Sequence, residues 1–229
     1  LFPWATSYYN AGGIGEQSNT LCFTLMYDNK YVGWRDSYGT RMDTVGGKTG
    51  PQDFFLSIES YHKKLHGAIG LTFISDQIGF YQNIGVKLGY AYKLRIGGGH
   101  LGIGVQASLF NQAINKDGFD PIQDGDPVLN QLSESTLDLD FSLGLMYKCD
   151  QWYAGVGVTQ LVSAFDKNQA LRLSGEHGST RTPQMYFHGG YTWIVPANPN
   201  WEILPQALVK TDFHTATWEV MALARYNGV

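Results

Sequence analysis

Residues 135–147, STLDLDFSLGLMY, alternate without interruption between two chemistries, and a chain that repeats this alternation has few folds open to it. In an extended backbone Leu137, Leu139, Phe141, Leu143, Leu145 and Tyr147 leave on one side, and Thr136, Asp138, Asp140, Ser142 and Gly144 on the other. One such strand also suits a soluble sandwich, with its apolar face as core. The pattern recurs, however. In residues 81–94, Ile84, Val86, Leu88, Tyr90, Tyr92 and Leu94 oppose Asn83, Gly85, Lys87, Gly89, Ala91 and Lys93. In residues 101–109, Leu101, Ile103, Val105, Ala107 and Leu109 oppose Gly102, Gly104, Gln106 and Ser108. These runs exceed the roughly five or six residues of a globular strand and approach or pass the roughly nine to eleven of a tilted bilayer-crossing one.

Composition agrees. Of 229 residues 28 are Gly, 14% are aromatic and 16% charged, the last below the roughly 25% of an average soluble protein. The mean hydropathy is mildly negative, as expected when half of each strand faces a wet lumen. No run of about 18 apolar residues is present, which excludes helical membrane spans. A net charge of -4 argues against a nucleic-acid partner, because phosphate-binding surfaces cluster Lys and Arg. The two cysteines do not suggest a pair, Cys22 falling in a strand and Cys149 in a turn. With no starting Met and no leader, the chain reads as mature or trimmed protein.

The periodicity predicts strands at about 20–27, 52–60, 67–75, 81–94, 100–113, 135–147, 152–161, 184–194, 201–210 and 217–226. The fold class is therefore all-β: a single-domain, antiparallel up-and-down transmembrane β-barrel over 1–229, with 1–19 as an N-terminal periplasmic segment or plug-like arm. Connections after the first, fifth and seventh strands (28–51, 114–134, 162–183) are long, while 61–66, 95–99, 148–151 and 195–200 are short. In a meander the long ones collect on one rim, the asymmetry of outer-membrane barrels. Tyr90, Tyr92, Tyr147, Trp152, Tyr191, Trp193, Trp201, Trp218 and Tyr226 sit near strand ends, where amphipathic rings favour the headgroup layer. The last predicted strand runs into Asn227-Gly228, a hairpin dipeptide. An open edge in lipid is costly, so the expectation is further strands making a barrel of about 12–14 strands, a partner on the edge, or closure at ten.

Little in the residues demands chemistry. Gly97, Gly99 and Gly102 meet the dinucleotide-binding spacing but join two strands, where that motif needs a helix. His62 and His66 flank a hairpin, not a helix. Asp117, Asp120, Asp124 and Asp126 concentrate carboxylates suited to a hard cation, without EF-hand order or a closing Glu. They are weak metal candidates against the reading of a solvated loop, and no cofactor is expected. No Gly-x-Ser-x-Gly elbow supports a serine hydrolase, leaving an outer-membrane lipid hydrolase as the enzymatic rival. The polar faces carry Glu59, Lys87, Asp138, Asp140, His188, Glu219 and Arg225, which fill a narrow lumen by pairing or line a wider channel.

Several blocks together resemble the PorP/SprF family. Residues 27–34, YDNKYVGW, are similar to its aromatic-x-Asn-x-aromatic-x-Gly signature and supply Asn29, Gly33 and Trp34. Residues 65–71 with 76–79 follow, then 88–94, which carry Tyr90 and Tyr92 and look like its Ser-Tyr-Ala-Tyr strand, then 101–107, and 141–147 with 152–158. Residues 9–13, YNAGG, resemble its Asn-Pro-Ala-aromatic-Ala-Gly segment but lack the proline. The resemblance implies a non-enzymatic bacterial outer-membrane protein of type IX secretion and gliding in the Bacteroidetes. Implied partners are outer-membrane lipid, periplasmic ring proteins, a peptidoglycan-binding lipoprotein and secreted surface cargo such as adhesins. A passive diffusion porin is the alternative.

Overall fold

The computed structural model describes residues 4–16, 21–30, 51–78, 81–114, 135–162, 171–174 and 182–226. Gly33, Trp34, Asp117, Asp120, Asp124, Asp126 and the terminal Asn-Gly lie outside these residues. Antiparallel strands follow one another in space as in sequence: β1 (Leu21–Asn29), β2 (Gln52–His62), β3 (Gly67–Ile78), β4 (Tyr81–Ile96), β5 (Gly99–Ile114), β6 (Ser135–Lys148) and β7 (Trp152–Thr159). A short β8 (Leu171–Ser174) pairs with β6 beyond the end of β7. The meander then resumes with β9 (Gln184–Tyr191), β11 (Trp201–Thr211) and β12 (Ala216–Tyr226), and β10 (Trp193–Ile194) continues the line of β9 against β11. Twelve hydrogen-bonded segments thus form the ten lines of strand that the alternation predicts. Only β8 falls where the sequence suggests a plain connection, because a register shift between Leu137 and Asp138 and four residues of pairing leave no sustained period to read.

The fold class is as the sequence predicts, an all-β up-and-down meander, but the sheet does not close. Among the described residues no pairing joins β1 to β12. Both end strands are correspondingly bare, with Leu25 65% exposed on β1 and Val220 78% on β12.

Side chains segregate as the period-two pattern requires. One face carries Phe23, Leu25, Leu71, Leu88, Val105, Phe141 and Leu143, all exposed, Leu88 to 58% in mid-strand. A sandwich would bury this face; here nothing in the described chain covers it. The opposite face is covered by residues 4–16, so the polar side chains are the buried ones: Ser57, Thr72, Lys87, Gln106, Ser108, Asp138, Asp140 and Ser142. This inverts the usual rule for soluble proteins.

The two ends of the sheet differ. The β2–β3, β4–β5 and β6–β7 turns are tight, with His66 (φ 51°) and Gly97 (φ 58°) left-handed in the first two. The glycine run at 97–102 is therefore a hairpin, and no helix follows it to receive a pyrophosphate. Aromatic rings pair at this end, while exposed Tyr27, Tyr81, Phe213 and Trp218 stand at the other. Tyr147 packs against Trp152 with centroids 5.2 Å apart and Trp201 against Tyr226 at 5.0 Å, beside Tyr92, Tyr191 and Trp193. Cys22 and Cys149 are free thiols.

If the uncovered face meets hydrocarbon, Val105→Arg at the middle of β5 destabilises the protein by about 2–4 kcal/mol in a bilayer. Urea unfolding in liposomes measures it, and a change below about 0.5 kcal/mol, the norm for an aqueous surface site, contradicts it.

Candidate functional site

The pairing register builds a shelf for residues 4–16. Tyr61, Ala68, Ala91, Gly104, Gly144 and Gly157 stand directly beside one another on β2 to β7. Flanking rows add Gly70 and Gly89 on one side and Gly102 and Gly155 on the other. Missing side chains leave a bare strip of backbone running across the strands, and the N-terminal segment lies along it. A Cβ at Gly157 would overlap the Tyr9 carbonyl, at Gly144 the Asn10 side chain, at Gly104 the backbone of Ala11 and at Gly89 the Ile14 side chain. The segment thus crosses from β7 to β3, and Gly15 then bonds to Glu59 of β2.

Inside the strip the segment forms a four-residue helix, α1 (Thr6–Tyr9), and a 3-10 turn (Ala11–Gly13). Such short pieces leave backbone groups unpaired, and the sheet supplies partners. Lys87 Nζ donates to Tyr8 O at 2.8 Å, Lys93 Nζ to Gly12 O at 3.0 Å and Lys148 Nζ to Glu16 O at 3.2 Å. Glu59 Oε2 accepts from Gly15 N at 2.6 Å. Lys93 also ion-pairs with Glu16, both side chains nearly sealed from solvent. A buried pair of this kind stabilises only when both partners remain.

Asn10, fully buried, is the hub. Its Oδ1 accepts from Gly12 N at 2.9 Å, and its Nδ2 donates to Leu145 O at 2.9 Å and lies 2.7 Å from His188 Nε2. That arrangement makes Nε2 an acceptor and places the imidazole proton on Nδ1. Tyr9 stacks on Tyr186 at 5.6 Å and meets the His188 ring edge-on at 5.1 Å. Burial raises the Tyr9 phenol above its ordinary pKa, so it stays neutral. Apolar clusters complete the seat: Ile14 and Ala11 against Ala68 and Ala91, and Tyr9 against Tyr186 and Leu208.

The residues singled out on the polar faces divide into three groups. Lys87, His188 and Glu59 contact the segment. Asp138 and Asp140 are buried on the same face, and Asp140 Oδ1 accepts from Phe141 N at 2.6 Å and Val162 N at 3.1 Å. Glu219 and Arg225 lie on the exposed β12, Arg225 3.6 Å from Glu202. Asn29 ends β1, Tyr90 donates to Leu65 O at 2.6 Å, and Tyr92 lies against the His66 ring at 6.4 Å. Glu16 and the glycine strip are absent from the sequence candidates, and Asn10 enters there only within the 9–13 block that resembles a family segment. Lys93 had a signal, sharing the polar phase of β4 with Lys87. The glycines had one too, since they recur on the polar phase and not the apolar one.

Among the described residues no group of three or more His, Cys, Asp or Glu side chains is arranged to hold a metal ion. No helix is long and apolar enough to cross a membrane. A polar face occupied by the protein's own chain and an uncovered apolar face define a membrane protein of the strand-crossing class. The family described as type IX secretion system membrane protein PorP/SprF matches residues 34–228, and the chain belongs to that family. It is therefore a membrane component of type IX secretion. No curated protein and no solved structure matches it. The family match begins beyond β1, so the docked segment lies outside it.

Gly144→Val forces the segment off the strip, and chymotrypsin then cleaves at Tyr8 or Tyr9, bonds that resist it in the native protein. Asn10→Ala, which takes the Nδ2 donor from Leu145 O and leaves His188 Nε2 without one, lowers the unfolding free energy by about 1–3 kcal/mol. Peptide mapping and urea titration read the two effects; unchanged cleavage and stability contradict the docking.

Proposed function

We propose that the protein is a non-enzymatic outer-membrane component of type IX secretion, with its strands in the bilayer, residues 4–16 as an internal plug, and the long-connection end as a platform for secreted or surface-held cargo. The observation that carries this reading is the inverted segregation of side chains: aliphatic and aromatic groups face outward, and polar groups are buried under the protein's own N-terminal segment. A strand-built membrane protein needs the first, because hydrocarbon offers backbone no partners except neighbouring strands. The second supports a closed body and disfavours a diffusion porin. Aromatic rings at both strand ends suit headgroup interfaces, and the tight-turn end is the periplasmic one. The long connections then lie outside, positioned for an adhesin-type cargo, with periplasmic ring proteins and a peptidoglycan-binding lipoprotein as partners at the opposite end. The non-enzymatic reading is supported by the contacts of His188 and Glu59, which are made to the N-terminal segment.

Two measurements test this reading. In planar bilayers the intact protein shows no stepwise conductance, whereas a variant lacking residues 1–16 does; steady conductance by the intact protein restores the porin. In cells, replacing residues 115–134 with a short Gly-Ser linker leaves the protein in the outer membrane but abolishes surface display of its cargo. Normal display removes the platform.

A further inference from the structure

The outward face carries a groove of about 840 Å³ across β3 to β6, bordered by Leu65, Ile69, Leu88, Ala107, Phe141 and Leu161. Register makes the depression. Ile58, Leu71, Leu88, Ala107 and Phe141 stand in one row on β2 to β6, and Ala107 alone among them is small, so it forms a floor between Leu88 and Phe141. The lining is almost wholly apolar, and the volume falls within the roughly 300–1,000 Å³ of small-molecule sites. From Ile69 on β3 to Phe141 on β6 the groove crosses three strand spacings, roughly 14 Å. That length is comparable to the reach of one acyl chain, which spans a leaflet of roughly 15 Å.

At the tight-turn end the groove runs into a basic turn. Leu65 and Ile69 also border a second hollow, together with His62, Lys63 and Lys64. His62 closes β2, and the two lysines lie in the 3-10 turn (Lys63–Leu65) that leads into β3. All three side chains are exposed, and neither lysine has an ion-pair partner among the described residues. Hydrogen bonds fix this turn to the neighbouring strand: Tyr90, which lines the groove, donates to Leu65 O at 2.6 Å, and Lys93 N donates to His66 O at 2.8 Å. Exposed Arg95, two residues further along β4, adds a cation at the same end. Tyr92 against the His66 ring places an amphipathic aromatic there, as at a headgroup level. The opposite strand ends carry Asp28, Asp53 and Asp76 side by side and repel an anion. An apolar groove that opens onto unneutralised ammonium groups complements a molecule with a hydrocarbon chain at one end and a negative charge at the other. We propose that the groove is a site for one anionic phospholipid, its phosphate at Lys63 and Lys64 and one acyl chain lying from Leu65 over Ala107 to Phe141. Lysine suits the phosphate as a compact point charge with three donors, and basic clusters at a membrane surface select anionic lipids in this way. The site rests on the strands crossing a bilayer, and it adds to that reading a particular lipid in the leaflet at the tight-turn end.

Native mass spectrometry of the full chain released from a non-ionic detergent tests it, with three probes: dimyristoyl phosphatidylglycerol, dimyristoyl phosphatidylcholine, and glycerophosphate, which has the charge without the chains. One phosphatidylglycerol is retained about tenfold more strongly than phosphatidylcholine, and glycerophosphate is not retained. Lys63→Gln combined with Lys64→Gln lowers the preference about tenfold, as expected when each lysine near an anionic surface contributes severalfold. Ala107→Phe fills the floor of the groove and weakens retention of both lipids severalfold. The lysines are exposed on a turn, so their variant decides the matter even where the packing variant fails to fold. Equal retention of the two lipids, retention of glycerophosphate as strong as that of the lipid, or a lysine variant indistinguishable from the parent overturns the proposal. Flotation of the parent chain with phosphatidylcholine vesicles separates the two levels of failure: a chain that floats but shows no lipid preference removes the site alone, and one that stays in the aqueous layer removes the bilayer reading as well.

Discussion

Every register in this sheet answers to one constraint: apolar side chains must leave one face of each strand and polar side chains the other, on all neighbouring strands at once. Because the side-chain period is two, a slip of one residue exchanges the faces completely. Aligned across β3 to β6, Leu71, Leu88, Ala107 and Phe141 share one face while Thr72, Lys87, Ser108 and Asp140 share the other. Hydrogen bonds hold the strands together, but it is this shared alternation that selects a single pairing from the many the backbone would accept.

Register in turn creates the seat for the N-terminal segment. Ala68, Ala91, Gly104, Gly144 and Gly157 come from five strands, and only their alignment turns small residues into a continuous strip. Backbone can then approach backbone, a use of glycine that rests on the missing side chain more than on torsional freedom. Lys87, Lys93, Glu59 and Asn10 convert that approach into specificity by pairing peptide groups that burial would leave orphaned. Each such bond contributes on the order of 1 kcal/mol net, and somewhat more where one partner is charged. The segment is held by many modest terms, and removing a partner costs more than the bond itself contributes.

Membership of the PorP/SprF family gives this architecture its setting in type IX secretion. The two ends of the sheet are distinct, one closed by tight turns, the other bearing the long connections and a cross-strand row of Asp28, Asp53, Asp76, Asn83, Gln112 and Thr136. That asymmetry gives the protein a direction, which a secretion component needs and a uniform strand stack would lack.

Strand positions, the two faces and the hairpins were legible in the sequence because each is local: alternation in residues 81–94 or 135–147 is visible within a single stretch, and Gly97 marks its own turn. The N-terminal segment was legible as a periplasmic stretch or plug-like arm but without its contacts, and β8 only as part of a connection. What occupies the polar face was decided by tertiary structure alone. Asn10 and His188 are 178 residues apart, and nothing in either neighbourhood signals the other. Glycine on the polar phase suits a wet lumen as well as a seat for backbone, and the row from Asp28 to Thr136 exists only once six strands are in register. Local periodicity determined how each strand divides its side chains, whereas the partners of those side chains depended on the alignment of strands distant in sequence, since a contact across the sheet belongs to no single segment of the chain.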